Sequence, residues 1–445
     1  MSTSAIRSVS VAPEGSFANI NPLTGAPTTA GLVYVGLECE RASVLPFGEP
    51  VLQERENARA GPHSFPAEYE TGKVAGTLVT RLQGTIELSC VVRTLGDVSA
   101  PGAGDFVTYT TIPWVQLLES MFATDAINGV GNLDDVIQLP VGPNSFTPTV
   151  PASFEPGQLF NVNIDDRIEW SAVTEKAVNI TYSPAMSRPL DLVAPDVIRL
   201  ARTFYAPEDL LTARGLSVAI DLDGDGWGYH AFGCRAESVK FELRGRMLLA
   251  TFTMRAAHIQ PKTVPAPTDP RVALGSVAHL VDCYVVYSSP APVDGNAAPV
   301  GLTRTPVPVS AFEATFSQPL VARGTPENIV GVAEWEVGAD PTYEMTMTVS
   351  APDTVIENDL RDQVQRNWLV GFGPHGPVGF GAGNESGDGA AIMFPAGHMT
   401  TSPVLRNLGN GLVEQDIALS NGRYYGDLPA GAPPAHSSVR IGLSR

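Results

Sequence analysis

Along residues 84–91 apolar and polar side chains alternate, with Ile86, Leu88 and Cys90 at one parity and Thr85, Glu87 and Ser89 at the other. A period of two is that of a strand with one buried and one wet face. The same period runs through Leu216, Val218, Ile220 and Leu222. It returns with Val413, Ile417 and Leu419 on one side and Glu414 and Asp416 on the other. "SVKFELRGRMLLATFTMRA" reads as strand, turn at Gly245, strand, and "GLVYVGLECE", "LFNVNI" and "RIEWSAV" add further strands. The period lengthens to three and four in only a few places. Trp114, Leu117, Leu118, Met121 and Phe122, with Pro113 at the first turn, predict a short amphipathic helix. "DVIRLARTFYAPEDLL" (196–211) and "DTVIENDLRDQVQRN" (353–367) predict two more, and the first 70 residues read as loop-rich.

Composition supports a folded, mainly β chain: 445 residues with 43% hydrophobic content can bury real cores, while 38 Pro and 43 Gly break up long helices. No run of eighteen apolar residues is present, so no membrane span is expected. The N-terminus "MSTSAIRSVSVAPEG" has no apolar signal region, so use without Sec export is expected. Cys39, Cys90, Cys234 and Cys283 form no C-x-x-C pair, and buried free thiols are the expectation. The formal charge of −19 comes with few lysines and no Lys/Arg cluster, so tight DNA binding is not expected.

Chemistry is sparse. "IDLDGDGWGYHAFGC" (220–234) opens like an EF-hand loop with Asp221, Asp223, Asp225 and Gly226. The twelfth loop position, where such a loop needs a bidentate carboxylate, is Phe232, and the flanks read as strands. An acidic hairpin turn is expected there; no metal site is expected, Asp221, Asp223 and Asp225 being the weak candidates for one, and no cofactor is expected. "GFGPHG" (371–376) spells G-x-G-x-x-G without the helix that gives this motif its phosphate site. The seven histidines make no i, i+4 pair, and no catalytic constellation is legible, so the chain is not expected to be an enzyme.

The chain does echo itself. Gly233 and Gly397 each stand twelve residues before a second glycine, Gly245 and Gly409, and strand–turn–strand patterns bracket both. Upstream, the strand and helix near Trp114 parallel "WEVGADPTYEMTMTVS" and the 353–367 helix. Order, more than identity, implies duplication. The first unit is read as 1–305, with an inserted lobe at 126–215, and the second as 306–445.

The segments "GTIELSCVVR", "WVQLLESMFA", "GCRAESVKFELRGRMLLATFTMR" and "GHMTTSPVLRNLGNGLVEQDIALS" together resemble the major tail tube proteins of long-tailed bacteriophages, in the fused form in which a trimer imitates a hexameric ring. The resemblance covers about a third of the chain. It implies two tandem β-sandwich or barrel domains, each with a short helix and long loops. It further implies self-assembly into trimeric rings stacked as a hollow tube, in the virion tail after assembly in the host cytoplasm. Contacts with tape-measure, tail-terminator and tail-tip proteins are implied as well, with duplex DNA passing through unheld. Glu87, Glu414 and Asp416 are then expected to face the lumen. Other readings stay open: a different virion structural protein, a β-sandwich adhesin or carbohydrate-binding module, or a hydrolase built around Asp221, Asp223, Asp225 and His230.

Overall fold

The computed structural model describes residues 6–14, 32–37, 39–45, 51–53, 77–79, 84–93, 113–124, 134–142, 144–149, 154–164, 167–186, 190, 197–206, 215–222, 228–245, 247–262, 279–287, 307–323, 334–338, 341–350, 354–373, 389–407, 413–421 and 437–444. The fold is mainly β. Antiparallel pairing runs unbroken through eight strands, in the order Cys39–Leu45, Gly84–Val91, Met247–Ala256, Gly228–Arg244, Val307–Ser317, Thr342–Val349, Val413–Asn421, Val404–Asn407. The strict alternation read from residues 84–91 is what this sheet needs. Ile86, Leu88, Phe252, Val239, Phe241, Phe316, Met345 and Ile417 are buried on one face, and hydroxyls and charges line the other.

Behind the buried face lies the rest of the core. Helix Pro113–Glu119 places Trp114, Leu117 and Leu118 in it, followed by Met121 and Phe122, and the Ser120 hydroxyl donates to the Leu117 carbonyl where the helix ends. Strand Gly228–Arg244 is 17 residues long because it serves two sheets. Its first part pairs with Leu216–Leu222 and His258–Lys262, and its second part lies in the eight-stranded sheet. The change comes at Gly233, whose φ of 60° only glycine takes without strain. The Glu14 carboxylate accepts the Gly233 N–H at 2.9 Å and the Ser217 hydroxyl at 2.6 Å, and Trp335 Nε1 donates to the Gly233 carbonyl at 2.8 Å.

Strand Ala390–Met399 makes the same change in the second half. Residues 390–393 pair with Arg440–Leu443, and His398 and Met399 pair with Val413–Asn421. Strand His279–Tyr287 pairs with Arg366–Gly373 in this back layer.

Six strands between residues 134 and 200 close a separate barrel: Asp134–Gly142, Ser145–Pro148, Leu159–Ile164, Arg167–Lys176, Ile180–Ser183 and Val197–Leu200. Phe146, Phe154, Phe160 and Tyr182 fill its interior. The chain enters and leaves through one narrow neck, where Ala123 and Thr124 pair with Tyr205 and Phe204. Trp170 docks the barrel on the second half, against Leu369, Ala391 and Met393. A Cβ at Gly371, Gly389 or Gly442 would come within about 3 Å of that indole. The Tyr284 hydroxyl locks the contact, donating to the Ile168 carbonyl at 3.0 Å and accepting the Trp170 N–H at 2.9 Å.

Two expectations are corrected. Residues 196–211 hold no helix where they are described: 197–200 and 202–205 are strands, one completing the barrel and the other pairing with Arg440–Leu443. Cross-strand pairing overrides the three-and-four spacing of its apolar residues. The loop-rich N-terminus contains strand Ile6–Pro13, which pairs with Leu216–Leu222 and buries Val9 and Val11. The 353–367 stretch does form a helix, Thr354–Asp362.

Candidate functional site: a repeated sheet with two open edges

The eight strands are two sets of four laid side by side. In sheet order the first set is Cys39–Leu45, Gly84–Val91, Met247–Ala256, Gly228–Arg244; the second is Val307–Ser317, Thr342–Val349, Val413–Asn421, Val404–Asn407. Within each set the chain visits the strands in the same sequence, and a helix follows the second strand. Even the irregularities match. Both outer strands skip one residue, between Cys39 and Arg41 across Cys90 and Ser89, and between Val309 and Ala311 across Val349 and Thr348.

This match fixes a residue-by-residue correspondence between the repeats. Ser89 corresponds to Thr348, so Thr251 corresponds to Asp416, and Lys240, Phe241 and Glu242 correspond to Val404, Leu405 and Arg406. Likewise Ser43, Val44 and Leu45 correspond to Glu313, Ala314 and Thr315.

The two repeats meet at a seam in which Lys240 pairs with Thr315, Phe241 with Ala314 and Glu242 with Glu313. Among the described residues, the corresponding strands at the two ends of the sheet pair with no strand on their outer side. Phe241 in the seam is 1% exposed, whereas Leu405 is 52%, Val404 55% and Leu45 61% exposed. An open strand edge presents unpaired backbone N–H and C=O groups, and apolar side chains on it mark a site for another strand.

The wet face of the sheet is rich in hydroxyls, among them Thr85, Ser238, Thr251, Thr253, Thr315, Thr342, Thr346 and Ser420. Among the described residues, cations of this face are matched to carboxylates: Arg41 with Glu87 at 3.7 Å, Arg255 with Glu237 at 2.8 Å, Arg406 with Asp416 at 2.6 Å, and Arg244 with Glu40 at 3.9 Å. Lys240 is shared by Glu242 at 3.3 Å and Glu313 at 3.0 Å, and Glu313 first, against its own partial burial, holds its ammonium above the ordinary lysine value. Glu87, Glu414 and Asp416 lie on this one face, Glu87 near one open edge and the other two near the other. Glu344 lies on it too, so among the described residues this face carries more carboxylates than cations.

Asp221 lies in the back layer, buried, where it accepts the Ser8 hydroxyl at 3.1 Å. The strands on either side of the acidic stretch are paired, Asp221 opposite Gly228, while Asp223 and Asp225 lie outside the described residues. His230 contacts the Tyr34 hydroxyl and stacks near Phe232, and burial pushes the Tyr34 phenol well above its ordinary value. No group of three His, Cys, Asp or Glu among the described residues could hold a metal. No helix among them is long and apolar enough to cross a membrane. Residues 371–373 of the glycine-rich motif are strand, and Gly371 is occupied in receiving Trp170 and Tyr284. Trp114, Trp170, Trp335 and Trp368 are all buried, so none offers a platform for a sugar.

No protein-family model matches the chain, and no curated protein matches its sequence. The open edges went unnoticed in the sequence, although a signal for them was there. Counting from Gly233 and Gly397 sets Val404 in the place of Lys240, an apolar residue where the first copy has a charge.

Proposed function

We propose that this chain is a structural subunit that assembles head to tail into rings, as in the tail tube of a long-tailed bacteriophage. The observation that carries the proposal is the seam. One chain already contains one copy of the contact that its two ends lack. If the ends repeat the seam, Val404–Asn407 of one copy lies antiparallel to Cys39–Leu45 of the next. In that register Val404 falls opposite Leu45, Leu405 opposite Val44, and Arg406 opposite Ser43. Such a contact joins two different surfaces, so it must either close into a ring or run on as a filament.

Strand spacing decides the smallest useful ring. At about 4.8 Å per strand, two copies give a barrel about 24 Å across and three copies one about 37 Å across, before strand tilt widens either. Side chains take about 5 Å from each wall, half the separation of packed sheets. Two copies leave about 14 Å untilted and about 20–24 Å at the usual tilt of about 35–45°, a bare fit for duplex DNA of about 20 Å, whereas three leave about 27 Å before any tilt. The trimer implied by the resemblance is the smallest ring that passes DNA with room to spare at any tilt.

In this reading the wet face lines the channel. DNA affinity comes from cations that replace counterions on phosphates. On this face a phosphate would have to displace a carboxylate from each of these paired Arg and Lys side chains, so the lining offers hydroxyls and paired charges, and DNA slides without being held. Glu87 and Asp416 act there chiefly as partners that occupy the cations, and Glu414 adds a further carboxylate that repels phosphate. The inserted barrel, docked on the back layer, is carried on the outside.

Negative-stain electron microscopy of the purified chain at rising concentration tests this reading, with and without preformed tail ends as seeds. Hollow rings or cylinders with threefold or pseudo-sixfold symmetry support it. Monomers at every concentration, even with seeds, overturn it.

A further inference from the structure

The two repeats differ at one position of the sheet in a way that packing does not require. In the first repeat Cys39 lies directly across from Cys90, with the two sulfurs 3.4 Å apart. The corresponding position of the second repeat holds Val309 across from Val349, both buried. Two valines therefore satisfy the fold there, and the first repeat places two free thiols in the same space. Cys90 is buried, while Cys39 is half-buried on the outermost strand. Cys234 and Cys283 are buried well inside the layers.

We propose that Cys39 and Cys90 form a redox site that closes to an intrachain disulfide by exchange with a small-molecule disulfide. The Cys39 thiolate attacks one sulfur of the oxidant, whose S–S bond breaks and releases one thiol. Cys90 then gives up its proton and attacks Cys39 Sγ, forming the Cys39–Cys90 bond and expelling the second thiol. The protein loses two protons and two electrons, and the oxidant gains both. The neighbouring Cys39 sulfur and burial both push the Cys90 thiol up, so Cys39 is the group that reacts first. The sulfurs must approach by about 1.4 Å to reach bonding distance near 2.05 Å, a shift within the reach of side-chain rotation. The product pins one open edge strand to its neighbour. That last consequence for assembly rests on the ring reading; the chemistry does not.

The test uses the full-length reduced chain with excess oxidised glutathione at neutral pH, quenched by alkylation and mapped by tryptic mass spectrometry. The expected result is a peptide linked through Cys39 and Cys90 that has lost two hydrogens, with Cys234 and Cys283 still alkylated as thiols. The double variant Cys39→Val with Cys90→Val, which copies the second repeat, keeps the fold and gives no linked peptide. A stable glutathione adduct on Cys39 with Cys90 still free overturns the proposal, as does resistance of both thiols in the folded chain but not in urea. Microscopy of the oxidised and reduced forms separates the two readings. Linked peptide without rings in either form sinks the ring reading alone, and rings without linked peptide sink the redox site alone.

Discussion

The seam between the repeats and the open ends of the sheet are the same place in the repeat, seen once with a neighbour and once without. In the seam, Phe241 is covered by Ala314 and the strands behind it, and the charges beside it are paired across strands. At the ends, Leu405 and Val404 on one side and Leu45 on the other are left in water. For Leu405, the counterpart of Phe241, position in the repeat therefore does not explain the exposure, while Val404 and Leu45 stand on the wet face, where Lys240 of the seam is itself 40% exposed. What differs for Leu405 is whether the next four-stranded unit is attached, so its exposure is what a half-made contact looks like.

Truncation at matched positions gives the sharpest test of that equivalence. Phe241→Ala empties a filled core position and is expected to cost about 3–5 kcal/mol of folding stability, measured by urea unfolding. Leu405→Ala is expected to change monomer stability by no more than about 0.5 kcal/mol, because the side chain is exposed, and to act on assembly instead. Equal losses of monomer stability would show that strand Val404–Asn407 is already covered and would break the comparison.

Charge exchange across the proposed contact comes next in size. Burying the Val404 and Leu45 pair contributes about 2 kcal/mol per contact. Val404→Lys is expected to raise the concentration for half-assembly by about 30-fold, the equivalent of that energy. Adding Leu45→Lys sets like charges opposite each other and worsens it, while Val404→Lys with Leu45→Glu restores part of the loss. Sedimentation velocity reads all three. Indifference of the rescue to the sign at residue 45 would mean that the register is wrong.

The alternation at residues 84–91, the helices near Trp114 and at 353–367, and the paired glycines were all legible, because each is a local pattern with a physical period. What could not be read was the pairing between distant segments. Strand Ile6–Pro13 ends at a proline, and the Leu216–Leu222 neighbour that it pairs with lies more than 200 positions away. Residues 197–205 have helical spacing, yet each short run finishes a different sheet. The three acidic candidates were found on their polar parity, but the arginine partners of Glu87 and Asp416 lie on adjacent strands and became visible only with the register.

The two switch glycines come next, since the repeats make the same bend for different reasons. Gly233 is held at positive φ, and an alanine there is expected to cost about 1–2 kcal/mol whatever surrounds it. At Gly397 an added Cβ meets Trp368 at 2.8 Å, and overpacking costs about 1–3 kcal/mol, at the lower end if the indole yields. A double-mutant cycle separates the two. Trp368→Phe is expected to relieve part of the cost of Gly397→Ala and none of the cost of Gly233→Ala. Relief of both would mean that one crowded core, and not two local solutions, sets the bend.

The smallest effect is expected at Lys240, which bridges the seam on the wet face where its counterpart at the open end is the apolar Val404. Its partners raise its affinity for the proton, so the folded state holds that proton more tightly than the unfolded chain does. The stability this adds is fully present below the ordinary lysine value and is lost only as pH rises through the folded one, so no change is expected between pH 6 and about 9. The side chain is 40% exposed, and screening by water and salt leaves the interaction at no more than about 1 kcal/mol. Lys240→Met keeps the stem over the strand and removes the charge. It is expected to lower stability by less than that amount, and the difference from the parent should shrink further in high salt. A larger loss would mean that the ammonium separates Glu242 from Glu313 across the seam, since those carboxylates stand on directly paired residues. The open edge avoids that repulsion: in the same register Arg406 would face Ser43, and no pair of like charges needs a lysine between them.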